Sequence, residues 1–123
     1  MATLTEGKHP GGFLVWEVLR DYIRETVTLA SGAGKLVPGT VLGKITTGGK
    51  FTVLTPGASN GSQNAAGVLW GGADATDADA PGVVLVRGPA LVNRHEITWP
   101  EAATQAQITT ATTALAALGI VLR

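Results

Sequence analysis

Ile97-Thr98-Trp99-Pro100-Glu101-Ala102-Ala103, with the run that follows it to Arg123, decides how this chain is read. An aromatic strand end meets a proline, which has no amide to continue a ladder. Thr104 and Gln107 then stand at the spacing of a capping box: the threonine oxygen accepts from the Gln107 amide, and the glutamine reaches back. Ile108, Ala111, Leu115 and Leu118 recur three or four residues apart, which places them on one helical face. Gly119 suits the left-handed turn that ends a helix, and Ile120-Val121-Leu122 reads as a short strand. The predicted helix covers about 104–118. Its apolar face is narrow and made of small residues, so it needs a sheet or a partner to lie on.

Upstream of that helix the chain reads as β. Seventeen glycines and six prolines in 123 residues place many turns in a single domain's length, which favours short strands. The chain is 45% hydrophobic with only six aromatics, so its core is expected to be Val, Leu, Ile and Ala. Residues 1–12 are polar, broken by glycine and proline, and read as a loose arm. Phe13 to Leu19 is an abrupt apolar patch. As a strand it sets Phe13, Val15 and Leu19 on one side and Leu14, Trp16 and Val18 on the other. Such a strand is either core or covered by another chain.

Asp21 to Leu29 alternates, with Ile23, Glu25, Val27 and Leu29 opposite Tyr22, Arg24, Thr26 and Thr28, the pattern of a half-buried strand. Residues 31–35 form a turn, Thr40–Ile45 a strand, Thr47–Lys50 a hairpin turn, and Phe51–Leu54 the return strand. A polar loop at 55–64 precedes a strand at 66–70. Residues 73–82, alternating Ala with Asp, read as a surface loop. Val83–Arg87 is a strand, Ala90–Glu96 fits a helical turn or a strand, and Ile97–Trp99 closes the β portion. The expectation is a mainly β (α+β) fold of roughly six to eight short strands with one C-terminal helix. The arm and first strands occupy 1–29 and the compact β domain 30–123.

Composition narrows the function. Nine basic and nine acidic residues cancel, and there is no basic tract to grip phosphates or an anionic membrane. With no cysteine there are no disulfides, no thiolate catalysis and no thiolate zinc site. No basic and apolar leader follows Met1, so a protein made and used in the cytoplasm, or in something assembled there, is expected.

Candidate chemistry is thin. Ser31-Gly32-Ala33-Gly34-Lys35-Leu36 resembles a phosphate loop, but Leu29 and Leu36 stand where that motif needs Gly and Ser or Thr. Asp74, Asp77 and Asp79 lack the spacing of a calcium loop and its closing Glu. His9 and His95 carry no nucleophile or metal signature around them. Asn60-Gly61-Ser62 reads as a turn. No catalytic residue, cofactor site or metal site is expected. Tryptophan is enriched at protein interfaces, so at least one of Trp16, Trp70 and Trp99 is expected between subunits.

The order of these segments resembles the phage lambda-type head decoration family. The resemblance is carried by Trp99-Pro100-Glu101-Ala102-Ala103 before the helix and by Asn64-Ala65-Ala66-Gly67-Val68-Leu69. Arg24-Glu25-Thr26-Val27-Thr28-Leu29-Ala30-Ser31-Gly32, Pro38-Gly39-Thr40-Val41-Leu42-Gly43-Lys44-Ile45 and Leu118-Gly119-Ile120-Val121-Leu122-Arg123 also resemble prophage-type members. The N-terminal half is longer and more apolar than in the lambda-type protein.

The resemblance implies a small β-clip-like barrel that forms homotrimers on the outer surface of the expanded phage head. There it would lock the major capsid protein against internal pressure, after assembly in the host cytoplasm. It implies no cofactor, no nucleic acid and no membrane. Its N-terminal arm would face the capsid and add to strands of the shell protein. On that basis the capsid contact is expected at Phe13, Leu14, Val15, Trp16, Val18, Leu19, Tyr22, Ile23, Val27 and Leu29, and the trimer contact at Trp70, Trp99 and Pro100. Two other classes stay open on the residues: a small β-barrel enzyme or ligand binder using Asp74, Asp77, Asp79 and His95 at a subunit interface, or another trimeric virion module of tail or baseplate.

Overall fold

The computed structural model describes residues 10–17, 23–101 and 103–123. Its strands are β1 (Leu14–Glu17), β2 (Arg24–Leu29), β3 (Gly34–Leu36), β4 (Val41–Lys44), β5 (Phe51–Val53), β6 (Ala65–Leu69), β7 (Ala73–Ala75), β8 (Ala80–Leu85), β9 (Ala90–Val92) and β10 (Ile120–Leu122). Among the described residues the one long helix, α1, covers Gln105–Ala117, and a 3-10 turn covers Arg94–Glu96. The fold is mainly β with a single C-terminal helix, as the sequence predicts.

Five strands close a barrel in the order β2-β5-β4-β6-β8. All its pairings are antiparallel except β2 with β5, which meet in parallel at Leu29 and Phe51. There the amide of Ala30 donates to the Phe51 carbonyl at 2.8 Å. A separate sheet, β1-β9-β10, lies beside the barrel, and β3 pairs with β7.

The apolar runs of the central strands follow from burial on both faces. Successive side chains of a strand point to opposite faces. Val41, Val68 and Leu85 enter a core shared with α1, β9 and β10. Their neighbours Leu42, Leu69 and Val84 enter a second core with Leu29, Leu36 and Phe51. All six of these barrel residues are fully buried. A strand with one wet face would alternate; these do not, because neither face is wet.

The helix begins as its sequence predicts. The Gln107 amide donates to Thr104 Oγ1 at 3.2 Å, and Gln107 Oε1 accepts from the Thr104 amide at 2.9 Å. Ala111 and Leu115 are the residues it buries, Ile108 is half-buried, and Leu118 at the C-cap is 37% exposed. The hydroxyls of Thr110, Thr112 and Thr113 donate to carbonyls four residues back, which satisfies them without a tertiary partner. Gly119, at φ 91°, turns the chain into β10. There Gly88 lies so close that a Cβ on it would stand 1.9 Å from the Gly119 carbonyl oxygen, so the helix end and the start of β9 meet backbone to backbone. Replacing Thr104 by Ala should cost about 1 kcal/mol, visible as a lowered denaturant midpoint with an unchanged slope; an unchanged midpoint would contradict the cap's role.

One reading of the sequence is corrected here and another is resolved. The Ala–Asp alternation at 73–82 is not a loop throughout: it contains β7 and the start of β8, and β7 pairs with β3 in the register Gly34–Ala75, Lys35–Asp74, Leu36–Ala73. Ala75 points into the core while Asp74 faces water, so this alternation was a strand's. Alanine carries too little apolar area to announce one. The segment 90–96 is both of the expected alternatives, β9 followed by the 3-10 turn. The structure also builds β2 into the barrel, paired with β8 from Arg24–Leu85 to Leu29–Ala80. Residues 24–29 therefore fold with the compact domain.

Candidate functional site

The described N-terminal segment, residues 10–17, runs as a strap from Trp70, just past β6, to β9. Gly11 donates its amide to the Trp70 carbonyl at 2.9 Å. Its φ of 68° and its position against the indole leave no room for a side chain: a Cβ there would meet the ring at 2.1 Å. Phe13 is 2% exposed and meets Trp70 edge-on, with ring centroids 6.0 Å apart. The Arg24 guanidinium lies over the same indole, 3.3 Å from its centroid, a cation–π contact. Arg24 also forks onto Glu17, with Nε donating to Oε2 at 3.2 Å and Nη2 to Oε1. Both side chains of that pair are largely buried, where a charge-assisted fork is stronger than at an open surface.

Beyond Phe13 the strap becomes β1. It pairs with β9 as Leu14–Val92, Trp16–Leu91 and Glu17–Ala90, with a register shift between Leu14 and Trp16. That shift is a bulge at Val15. It breaks the expected alternation, so that Val15 (59%) and Trp16 (50%) are both exposed. β10 continues the rows in parallel, Val121 beside Leu91. Cross-strand partners share a face. Trp16, Leu91 and Val121 therefore form an apolar row on the outer face, while Ala90, Val92 and Ile120 are buried beneath.

The structure thus separates the residues expected at the capsid. Phe13, Ile23 and Leu29 fill the protein's own cores. Leu14 and Val27 are half-buried against them. Val15 and Trp16 are open. Val18, Leu19 and Tyr22 lie outside the described residues, as does the arm up to residue 9. Of the residues expected at a trimer contact, Trp70 is engaged within its own chain. Trp99 and Pro100 are half-buried. Trp99 borders a groove of about 370 Å³ with Arg94, Ile108 and Leu122, and both border a smaller one of about 160 Å³ with Val37 and Thr40.

The candidate catalytic groups are not brought together into a site. Asp74, Asp77, Asp79 and His95 are all exposed. Among the described residues no group of three His, Asp or Glu is placed to hold a metal, and no helix is long and apolar enough to cross a membrane. Asp74 accepts from the amide and hydroxyl of Thr76, and Asp79 from Lys50 Nζ and the Ser31 amide. The Asp74 bonds are local to its own segment, and the Asp79 bonds tie that segment to Ser31 and Lys50. Asn60 Oδ1 likewise accepts from the amide and hydroxyl of Ser62.

The Lys50 hydrogen bond, and after it that of the Ser31 amide, holds the Asp79 carboxyl below the usual carboxylate range. A group whose folded pKa is lowered stabilises the fold above its unfolded pKa, and that contribution is lost as the pH falls through the folded value. Asp79→Asn should therefore lower Tm slightly at pH 7, and the difference should close as the pH falls through the lowered pKa of the folded carboxyl. A difference that persists in acid would contradict this. The effect is small because the pair is open to solvent.

A family model described as the bacteriophage lambda head decoration protein D matches residues 3–120. The chain belongs to that family. Membership supports a role in decorating a phage capsid and a place on the virion. It also makes the barrel, the strap and the exposed row parts of a structural protein. No curated protein matches the chain. The apolar patch that begins at Phe13 was legible in the sequence. The bulge that leaves Val15 and Trp16 exposed has no signal in the sequence.

Proposed function

We propose that this head decoration family member is a non-enzymatic homotrimer that sits on the outside of the expanded phage head and stabilises the shell of major capsid protein, after assembly in the host cytoplasm. The observation that carries this is the family match over residues 3–120. The exposure of Val15 and Trp16 on a strand at the edge of its sheet supports it. An edge strand offers unpaired backbone groups, so the N-terminal segment can meet the shell by strand addition, with backbone bonds for affinity and alternate side chains for register. Trp99, beside both grooves, and Pro100, beside the smaller one, are the proposed contacts between protomers. Three protomers joined in this way would present three capsid contacts at once and gain by avidity.

Sedimentation of the purified chain tests the oligomer, and thermal or denaturant challenge of expanded shells tests the stabilisation. The expected results are a trimer at micromolar concentration and shells that withstand a higher temperature when decorated. A monomer that leaves shell stability unchanged would overturn the proposal.

A further inference from the structure

The ladder that holds β1 is weak by itself. It has three register pairs, is interrupted by a bulge, and lies at a sheet edge. A strand so placed is prone to slip, and a slip of one residue would turn Trp16 inward. Phe13 anchors the strap in the core, and the structure shows two further tethers, one on each side of it. On one side, Gly11 is seated on the Trp70 ring and bonded to the Trp70 carbonyl. On the other, Glu17 is forked to Arg24. The tethers meet, because Arg24 itself lies over the Trp70 indole.

We infer that Trp70, Arg24 and Glu17 form a clamp that sets the register of the strap on β9 and so positions Val15 and Trp16. Trp70 is the hub: it takes Gly11, the edge of Phe13 and the Arg24 guanidinium on a single ring system. Arg24 cannot be replaced by lysine in this role, since an ammonium provides neither the fork nor the planar stack. Glu17 is placed to meet it because the bulge returns Glu17, opposite Ala90, to the inner side of the sheet. These are positioning residues. The part of the inference that concerns docking rests on the decoration reading; the clamp does not.

Amide exchange on the full chain tests it. The Gly11 and Asn93 amides, bonded to Trp70 and Phe13, report on the strap, and the Leu54 and Leu69 amides, bonded to Val41 and Thr40, report on the barrel. In Glu17→Gln and Arg24→Met, exchange at Gly11 and Asn93 should rise about tenfold or more while Leu54 and Leu69 stay at the parent rate. Trp70→Phe, which keeps an aromatic face, should stay closer to the parent than Trp70→Leu. Equal changes at all four amides, or none, would overturn the clamp. Binding to expanded shells separates the two ideas. If the parent binds and the opened variants bind as well as it does, the positioning role falls. If the exchange result holds and the parent does not bind, the decoration reading falls and the clamp stands.

Discussion

Phe13→Ala should destabilise the domain by about 3–5 kcal/mol, a large share of the roughly 5–15 kcal/mol available to a domain. Phe13 is 2% exposed and belongs to the larger core, with Ile23, Val92 and Ile97. Removing its ring takes the edge-on contact from Trp70 and leaves a cavity. Backbone bonds nearby hinder collapse into that cavity: the Asn93 amide is tied to the Phe13 carbonyl at 2.7 Å, and Gly39, whose Cβ position would lie 3.6 Å from the Phe13 ring, is tied through its amide to Leu69. Chemical denaturation gives the measurement. A loss below about 1 kcal/mol would mean that Phe13 is not core, and the strap would then have no apolar anchor.

The same residue dictates how the N-terminus should be tested. A truncation through residue 20 removes Phe13 together with any capsid contact, so a loss of binding would report unfolding as readily as docking. Truncation that stops before Pro10 keeps the strap, and point changes in the strap keep everything else.

Trp16→Ser combined with Val15→Ser should weaken binding to expanded shells by about 2 kcal/mol or more per protomer, roughly thirtyfold, as loss of an interfacial tryptophan commonly does. With three protomers joined the losses compound. Stability should move little, because both side chains are at least half exposed in the free protein. The two readouts must therefore separate: Phe13→Ala lowers stability first, and the Val15 and Trp16 changes lower binding first. Parent-like binding by the double variant would place the docking face elsewhere than β1.

These contrasts show where the sequence stops informing. The helix was legible because its signals are local: Thr104 and Gln107 three apart, Ala111 and Leu115 four apart, Gly119 at the stop. The central strands were legible because valine and leucine announce burial by themselves, even when both faces are dry. β7 was not, since its inward residues are alanines and its outward ones aspartates, the composition of a turn. Nor was the division within residues 13–16. Phe13 and Val15 share a parity and were expected on one side; the bulge sends Phe13 into the core and leaves Val15 in water. A bulge is a property of two strands, and β9 lies more than seventy residues away in sequence. The role of Trp70 was hidden in the same way. Its apolar area was visible, but its partners Gly11, Phe13 and Arg24 lie about fifty residues away in sequence and meet it only in the folded chain.

The central claim is that the chain decorates a phage head as a trimer. Electron microscopy of expanded heads, assembled without this chain and then incubated with it, tests that most directly. New density is expected on the outer surface at three-fold and quasi-three-fold positions, with β1 on the shell side. Heads that remain bare, or density confined to a tail or baseplate, would contradict it.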